Sequence, residues 1–339
     1  MLDLEALPMR VALGQLQKLD DDTLTFIKQC GVDDVQLNTP GLPGETRWEH
    51  ADLARLVDHA AGFDVRLIAI ENVPIAFVDK ILLGQAGREQ QLNNMVHTVN
   101  NLARAGIPIL GYSFMPTGVW RTASDRPVRG GALATAFDNI VAQQITPEAP
   151  NANRALSCTG VDREITEEEI WDNYCWYVER ILPVCEQAGV RLALHPDDPP
   201  VPQLGGVGRV FRNFENFQRA MQTFDSPLHG LNFCHGCWSE MRGGAGVVEA
   251  IRWFGERGKI HYVHLRDVQG GAEDFTECWL GDGNCDPVES IRALQETGFR
   301  GFLMPDHVPH MLGDTDWCHR GRAWTAGYIK ALIASASDG

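Results

Sequence analysis

Four residues that can bind a divalent metal ion occur at the ends of four successive predicted strands. His195 lies near the end of the apolar run VRLALHP, and Cys234 lies near the end of HGLNFCHG. His264 follows in IHYVHLRDV, and Asp306 lies in GFLMPDH. Imidazole suits zinc, iron, manganese and nickel, thiolate favours softer ions, and carboxylate favours manganese or magnesium. Because the four residues lie 39, 30 and 42 positions apart, only a fold that gathers strand ends can bring them together.

The mixed chemistry of this set favours a catalytic metal site over a closed structural one. A catalytic site keeps coordination positions open for water or substrate oxygens. We therefore predict that His195, Cys234, His264 and Asp306 hold a catalytic ion. For any one of these histidines taken alone, a buried hydrogen-bonded residue is the alternative interpretation.

Further polar residues close to the same strand ends are candidates for proton transfer and substrate binding. His235 and His307 each follow a predicted ligand and could carry protons, and Asp198 could act as an acid or a base. The predicted substrate-binding residues are Trp120, Arg121, Asp197, Arg209 and Arg266. Each arginine could form a paired contact with a carboxylate. The alternatives are a turn for the Asp-Asp-Pro-Pro run and surface charge for the arginines.

An alternation of short apolar runs and amphipathic, helix-length segments recurs eight times along the chain. The predicted strands are 11–17, 33–38, 65–72, 107–114, 190–196, 229–236, 260–268 and 301–307. Glycines at 31, 106, 189 and 298 follow predicted helices, and Thr166 with Glu169 forms a capping-box pattern. Eight strand–helix pairs predict an α/β fold, the (β/α)8 TIM barrel. A doubly wound open sheet is the alternative, but no GxGxxG sequence follows the first strand.

The segment 115–165 is the one long irregular connection in this pattern. It is rich in Pro, Gly, Arg and Thr, and in a barrel it would leave strand four on the active-site face. We expect residues 1–339 to form a single barrel domain with this insertion as a lid or substrate-binding segment. A surface excursion or a dimer arm is the alternative.

The composition is that of a globular protein with an acidic surface. The 339 residues include 29 Lys plus Arg and 45 Asp plus Glu, for a net charge of −16, and 44% are hydrophobic. This balance argues against nucleic acid and anionic membrane surfaces as partners. No apolar run approaches the roughly 18 residues of a membrane span. Nine scattered cysteines without a secretion signal predict reduced thiols and a cytoplasmic location.

The chain resembles the mannonate dehydratase family of the xylose-isomerase-like barrel superfamily. The segments that carry the resemblance are GIPILGYSFMPTGVWRT, RGGALATAFD, HPDDPPVPQLGGVGRV, LNFCHG, HYVHLRD and PDH. The resemblance implies a lyase that converts D-mannonate to 2-dehydro-3-deoxy-D-gluconate by loss of water. It also implies that Mn²⁺ or Fe²⁺ is held by the same four residues, that His307 transfers protons, and that the protein is a homo-oligomer.

Two positions depart from the family pattern. Arg320 stands where the family has a tyrosine, and no histidine follows Glu277 in FTECWLGDG. An acid or a substrate contact is therefore expected to differ. A metal-dependent sugar isomerase or epimerase and a non-catalytic sugar-binding barrel are the alternative functions. A repair nuclease is disfavoured by the net charge of −16.

Overall fold

The computed structural model describes residues 4–144 and 163–337. The strands are β1 (Arg10–Leu16), β2 (Asp34–Asn38), β3 (Arg66–Glu71), β4 (Ile109–Ser113), β5 (Ala123–Pro127), β6 (Leu133–Asp138), β7 (Arg191–His195), β8 (Gln203–Leu204), β9 (Val207–Gly208), β10 (His229–Cys234), β11 (Ile260–Leu265), β12 (Asp267–Gly271), β13 (Asp274–Cys278) and β14 (Phe302–Pro305). The α-helices are α1 (Asp21–Gln29), α2 (His50–Ala61), α3 (Asp79–Leu82), α4 (Arg88–Ala105), α5 (Asn139–Ala142), α6 (Glu167–Ala188), α7 (Phe214–Thr223), α8 (His235–Gly255), α9 (Pro287–Glu296) and α10 (His319–Ser337). None of these helices combines the length and apolar character that crossing a bilayer requires.

Eight parallel strands close into a barrel in the order β1, β14, β11, β10, β7, β4, β3, β2. Each of them overlaps one of the eight predicted strands, so the predicted (β/α)8 barrel is confirmed. β10 and β11 are buried along their whole length, as expected where side chains fill the barrel and helices cover its outside. Because all eight strands run in one direction, their carboxyl ends meet at a single face.

Local sequence signals set the ends of several helices. The hydroxyl of Thr166 accepts a hydrogen bond from the backbone N–H of Glu169, whose side chain accepts one from Thr166 N–H, so the predicted capping box begins α6. The four glycines predicted to follow helices all have positive φ, at Gly31, Gly106, Gly189 and Gly298. These residues fix where each helix stops before the next strand.

A four-stranded antiparallel sheet in the order β12, β13, β6, β5 lies next to the barrel. β5 and β6 belong to the segment 115–165, and β12 and β13 form the hairpin after β11. Phe137 of β6 is paired with Phe275 of β13, and both are buried with Trp120 in a small separate core. The irregular structure predicted for 115–165 is therefore wrong for 123–138, because β5 is polar and exposed and gives no apolar pattern. Residues 145–162 of the insertion lie outside the described residues.

His229, the first residue of β10, is a buried neutral histidine. Its Nε2 lies 3.1 Å from the Tyr112 hydroxyl and 3.2 Å from the Tyr174 hydroxyl, and its Nδ1 lies 3.0 Å from the carbonyl oxygen of Phe224. Burial lowers the pKa of His229 to about 4. In the unfolded chain His229 binds a proton with an ordinary histidine pKa of about 6.5, whereas the folded protein binds it only near pH 4. The free energy of unfolding is therefore at its full value above about pH 6.5 and falls as the pH is lowered toward 4.

We expect the free energy of unfolding of His229→Gln to depend less on pH between about 4 and 6.5 than that of the wild type. A pKa lowered from 6.5 to about 4 corresponds to about 3 kcal/mol of free energy of unfolding. Urea unfolding midpoints between pH 4 and 7.5 measure the effect in both proteins. His261, whose pKa burial also lowers, is present in both, so the difference between them isolates His229. Parallel pH profiles for the two proteins would contradict this assignment.

Candidate active site

The four side chains predicted as metal ligands lie together at the carboxyl ends of β7, β10, β11 and β14. One ligand atom from each of His195, Cys234 and His264 lies within 4.8 Å of the other two. Asp306 Oδ2 lies 3.8 Å from His264 Nδ1 and 4.0 Å from Cys234 Sγ. All four residues are buried. The barrel thus brings residues that are far apart in sequence to one point.

Hydrogen bonds around the two histidines leave one ring nitrogen of each free for a metal ion. His195 Nδ1 lies 2.7 Å from the carbonyl oxygen of Pro196, and since a carbonyl only accepts, Nδ1 carries the proton and Nε2 is left as an acceptor. His264 Nε2 lies 3.0 Å from Glu71 Oε2, whereas its buried Nδ1 has no hydrogen-bond partner among the described residues. Carboxylate–imidazole pairs of this kind orient metal-binding histidines. The donor set therefore fits a divalent first-row ion.

The environments of the Cys234 sulfur and the Asp306 carboxylate also favour binding of a cation. Burial raises the pKa of Cys234, but its neighbours Cys237, Arg266 and the two histidines lower the pKa well below the usual thiol value. Asp306 accepts hydrogen bonds from Gln15 Nε2 at 2.9 Å and from Arg266 Nε at 3.1 Å, which fix the direction of its carboxylate. A thiolate and an oriented carboxylate supply the negative charge that a dication needs.

Glu71 is a site residue that the sequence analysis missed. It ends β3, is 3% exposed, and accepts hydrogen bonds from Gln36 and Asn232 besides contacting His264. Its signal in the sequence is an acidic residue at the end of a predicted strand, next to last in the apolar run VRLIAIEN.

We expect Glu71→Gln to weaken binding of Mn²⁺ by about 10- to 100-fold, because the amide holds the His264 imidazole less firmly and makes it less basic. Competition with a chelating dye measures the affinity directly. Asp34→Asn is the matched control, since Asp34 is an equally buried carboxylate that is paired with Arg10 and Arg66 at the start of β2. Equal metal affinities in wild type and Glu71→Gln would remove this role.

A second group of charged side chains lies beside the cluster, around Glu277 of strand β13. His307 Nδ1 lies 2.8 Å from Glu277 Oε1, and the His307 side chain remains 36% exposed. Burial lowers the pKa of His307, but the carboxylates of Asp306 and Glu277 outweigh it and raise the pKa above the usual value. Glu277 also accepts hydrogen bonds from Arg121 and Thr135. His307 is therefore an accessible, oriented imidazole next to the predicted metal site.

Arg121, predicted to bind a substrate carboxylate, is occupied by the protein itself. It donates to both oxygens of Asp198 at 2.6 and 2.8 Å, to Glu277 Oε1 from two of its nitrogens, and to the carbonyl oxygen of Trp120. These contacts use the five N–H groups of a guanidinium. Arg121 therefore holds Asp198 and Glu277 in place. No N–H group of its guanidinium is left to bind a substrate carboxylate.

The other two arginines are internal in the same way. Arg266 donates to Asp306, Glu240 and Asp198. Arg209, which is 1% exposed, donates to the Thr117 hydroxyl and to the carbonyl oxygens of Pro199 and Gly118. Neither guanidinium reaches open space, so the substrate-binding role predicted for Arg209 and Arg266 is not supported by their positions.

The remaining predicted site residues also face the protein interior. Asp198 lies between Arg121 and Arg266, and although burial raises its pKa, these arginines lower it below the usual value, so it stays an anion rather than a proton carrier. Asp197 accepts a hydrogen bond from the Phe211 N–H at 2.7 Å, and burial raises its pKa to about 6. The Trp120 indole, 2% exposed, donates to the Thr117 carbonyl oxygen.

His235 points away from the metal-ligand cluster. Its Nδ1 lies 2.9 Å from the carbonyl oxygen of Arg266, and its Nε2 lies 2.9 Å from the Ser290 hydroxyl. The residue is 1% exposed. Both ring nitrogens are thus occupied by groups of the protein, and the proton transfer predicted for His235 stays a prediction.

Comparison with known proteins finds mannonate dehydratases that are similar to this chain over nearly its whole length. A family model described as D-mannonate dehydratase (UxuA) matches residues 9–339. Mannonate dehydratase 2 of Halalkalibacterium halodurans is 31% identical over 98% of both chains, and the mannonate dehydratase of Thermotoga maritima is 29% identical over 94% of this chain and 93% of its own. The crystal structure of mannonate dehydratase from Streptococcus suis serotype 2 superposes with a TM-score of 0.86 at 26% identity, covering 97% of this chain and 95% of that one.

Proposed function

Because the chain belongs to the D-mannonate dehydratase family, we propose that it is a hydro-lyase that converts D-mannonate to 2-dehydro-3-deoxy-D-gluconate and water. The observation that carries the proposal is the buried cluster of His195, Cys234, His264 and Asp306 beside the accessible His307. We assign the four clustered residues to Mn²⁺ or Fe²⁺, since a thiolate and two imidazoles suit these ions better than Mg²⁺.

The reaction removes a proton from C2 and a hydroxyl group from C3. A carboxylate acidifies the neighbouring C–H bond only weakly, so negative charge must be stabilised on the C1 carboxylate as the proton leaves. When bound, the divalent ion supplies positive charge for that purpose. A base at C2 and an acid at the C3 oxygen complete the elimination. The resulting enol then relaxes to the 2-keto acid.

His307 is the residue to which we assign the proton at C2. The Glu277 carboxylate at 2.8 Å keeps a proton on Nδ1, so the lone pair of Nε2 is the basic position. Arg121 and Thr135 hold Glu277 in turn, and the imidazole therefore cannot rotate freely. The imidazolium formed at C2 can return its proton to the departing C3 hydroxyl. This second use of His307 matters here because Arg320, whose guanidinium donates to the Leu312 carbonyl oxygen, stands where the resemblance implies a tyrosine.

The substrate carboxylate is left with few cationic partners in this arrangement. Arg121, Arg209 and Arg266 are committed to groups of the protein. We therefore propose that the acid group of the substrate binds at the cluster of His195, Cys234, His264 and Asp306, and that the arginines hold the acidic residues in place. The homo-oligomeric state and the cytoplasmic location stay predictions.

A keto-acid assay tests the proposed function. Protein stripped with EDTA and reloaded with Mn²⁺ or Fe²⁺ is incubated with D-mannonate, and a 2-keto-3-deoxy acid is expected only with metal. D-Gluconate, which differs from D-mannonate only at C2, is the control substrate. An isomerised or epimerised product without a keto-deoxy acid would favour the isomerase or epimerase alternative. No conversion of any aldonic acid in a screen would favour the non-catalytic barrel.

A further inference from the structure

A second cluster of metal-binding residue types lies behind the candidate active site. It consists of His235, the first residue of α8, Asp267, the first residue of β12, and Cys285, which directly precedes the N-cap residue of α9. One ligand atom of each residue lies within 4.8 Å of the other two. The three residues are 1%, 1% and 5% exposed, respectively. Three separate elements thus meet at one buried point that the proposed reaction does not use.

Asp267 brings an unpaired carboxylate oxygen to this cluster. Its Oδ1 accepts a hydrogen bond from the Val268 N–H at 2.9 Å, and the backbone N–H groups of Gly283 and Cys285 also face the carboxylate, but its buried Oδ2 makes no hydrogen bond of normal geometry with the described residues. A buried carboxylate oxygen without a donor is costly. A cation bound next to Oδ2 would remove that cost.

His235 can offer a ring nitrogen to the same cation. The carbonyl oxygen of Arg266, 2.9 Å away, requires the proton on Nδ1, so Nε2 is the nitrogen available as a ligand. Nε2 lies 2.9 Å from the Ser290 hydroxyl, which also lies 3.1 Å from the carbonyl oxygen of Asp286. Because the hydroxyl has this second acceptor, it can release Nε2 without losing its own hydrogen bond.

Cys278 places a further sulfur beside the cluster. It is the direct partner of Asp267 in the antiparallel ladder between β12 and β13 and is 4% exposed. Residues directly opposite one another in such a ladder project their side chains to the same face. The cluster and its neighbour therefore offer two thiols, one imidazole and one carboxylate, which are zinc ligand types in a four-coordinate number.

We propose that His235, Asp267 and Cys285, with Cys278 as the fourth ligand, bind a structural Zn²⁺ ion that is separate from the catalytic ion. Zinc bonds of 2.0 to 2.3 Å place tetrahedral ligand atoms about 3.5 Å apart, so the ligand atoms of His235, Asp267 and Cys285, now within 4.8 Å of one another, approach by up to about 1.3 Å on binding. Sulfur and imidazole donors select zinc over manganese and magnesium. The ion would tie the start of α8, next to Cys234, to the hairpin that carries Glu277.

Metal counting tests this proposal independently of catalysis. Protein purified with a reducing agent is stripped with a chelator, equilibrated with Zn²⁺, dialysed and analysed for metal and protein. We expect two ions per chain in the wild type and one ion in each of Cys285→Ser and His195→Ala. Cys175→Ser, a half-buried cysteine of α6 outside both clusters, is the control and is expected to keep two ions. One ion per chain in the wild type, lost in His195→Ala, would overturn the proposal.

Absorption spectra of the Co²⁺-loaded protein give a second measurement, which can be made on Cys234→Ser even if Cys285→Ser does not fold. The Cys234→Ser variant lacks the thiolate of the catalytic cluster, so any sulfur-to-cobalt charge-transfer absorption in it must arise at another cysteine. We expect this absorption to be retained in Cys234→Ser and in Cys234→Ser/Cys175→Ser, and to be lost in Cys234→Ser/Cys285→Ser. Absence of the band in Cys234→Ser itself would exclude a second thiolate site.

Discussion

Replacing His307 with asparagine is expected to lower kcat for D-mannonate by about 10²- to 10⁴-fold, the usual contribution of a positioned acid–base group. Asparagine can still contact Glu277, but it has no basic nitrogen to exchange a proton with the substrate. Because His307 is not one of the assigned ligands, the bound metal is expected to stay. Steady-state kinetics on protein of measured metal content separates these two effects.

His310→Asn is the matched control for this prediction. His310 lies in the same connection after β14 and is half-buried, and its backbone bridges to Leu133. We expect kcat of this variant to stay within a few-fold of the wild type. If His307→Asn with full metal content also kept kcat within tenfold, another group would have to take the proton from C2.

Chelation is expected to abolish the dehydratase activity, and added Mn²⁺ or Fe²⁺ to restore it. Cys234→Ser should bind the ion at least about 10- to 100-fold more weakly, since a serine hydroxyl stays neutral and loss of a direct ligand costs no less than loss of a residue that supports one. Titration of the stripped proteins with Mn²⁺ measures this, with Cys175→Ser as the cysteine control. Full activity after chelation and exhaustive dialysis would contradict the metal assignment.

The barrel and the ligand cluster could be predicted because both depend on local sequence. Each barrel strand is a short apolar run, and the ends of parallel strands share a face whatever the helices between them contain. The residues at or next to the end of each strand then define the cluster: His195 and Cys234 are the last residues of β7 and β10, His264 is next to last in β11, and Asp306 directly follows β14. Glu71 obeys the same rule at the end of β3 and would have been found by applying it to all eight strands.

The partners of charged side chains could not be predicted in this way. Arg121 is 77 residues from Asp198 and 156 residues from Glu277, so its commitment to them depends on how two distant loops pack. An arginine that binds a substrate and one that binds an internal carboxylate have the same local sequence properties. Strand β6 was missed for a related reason, since the hairpin with which it pairs begins more than a hundred residues later, and β5, which pairs with β6, is polar and exposed.

The shared sheet of β5, β6, β12 and β13 has a consequence for motion next to the candidate active site. It joins the connection after β4 to the connection after β11, and the Arg121–Glu277 ion pair fastens the same two segments side chain to side chain. Neither connection can move away from the barrel alone without breaking the hydrogen bonds between β6 and β13 and the buried Arg121–Glu277 ion pair. Admission of a substrate and escape of a product should therefore follow one cooperative opening, in which amide hydrogens of both hairpins exchange at a common rate.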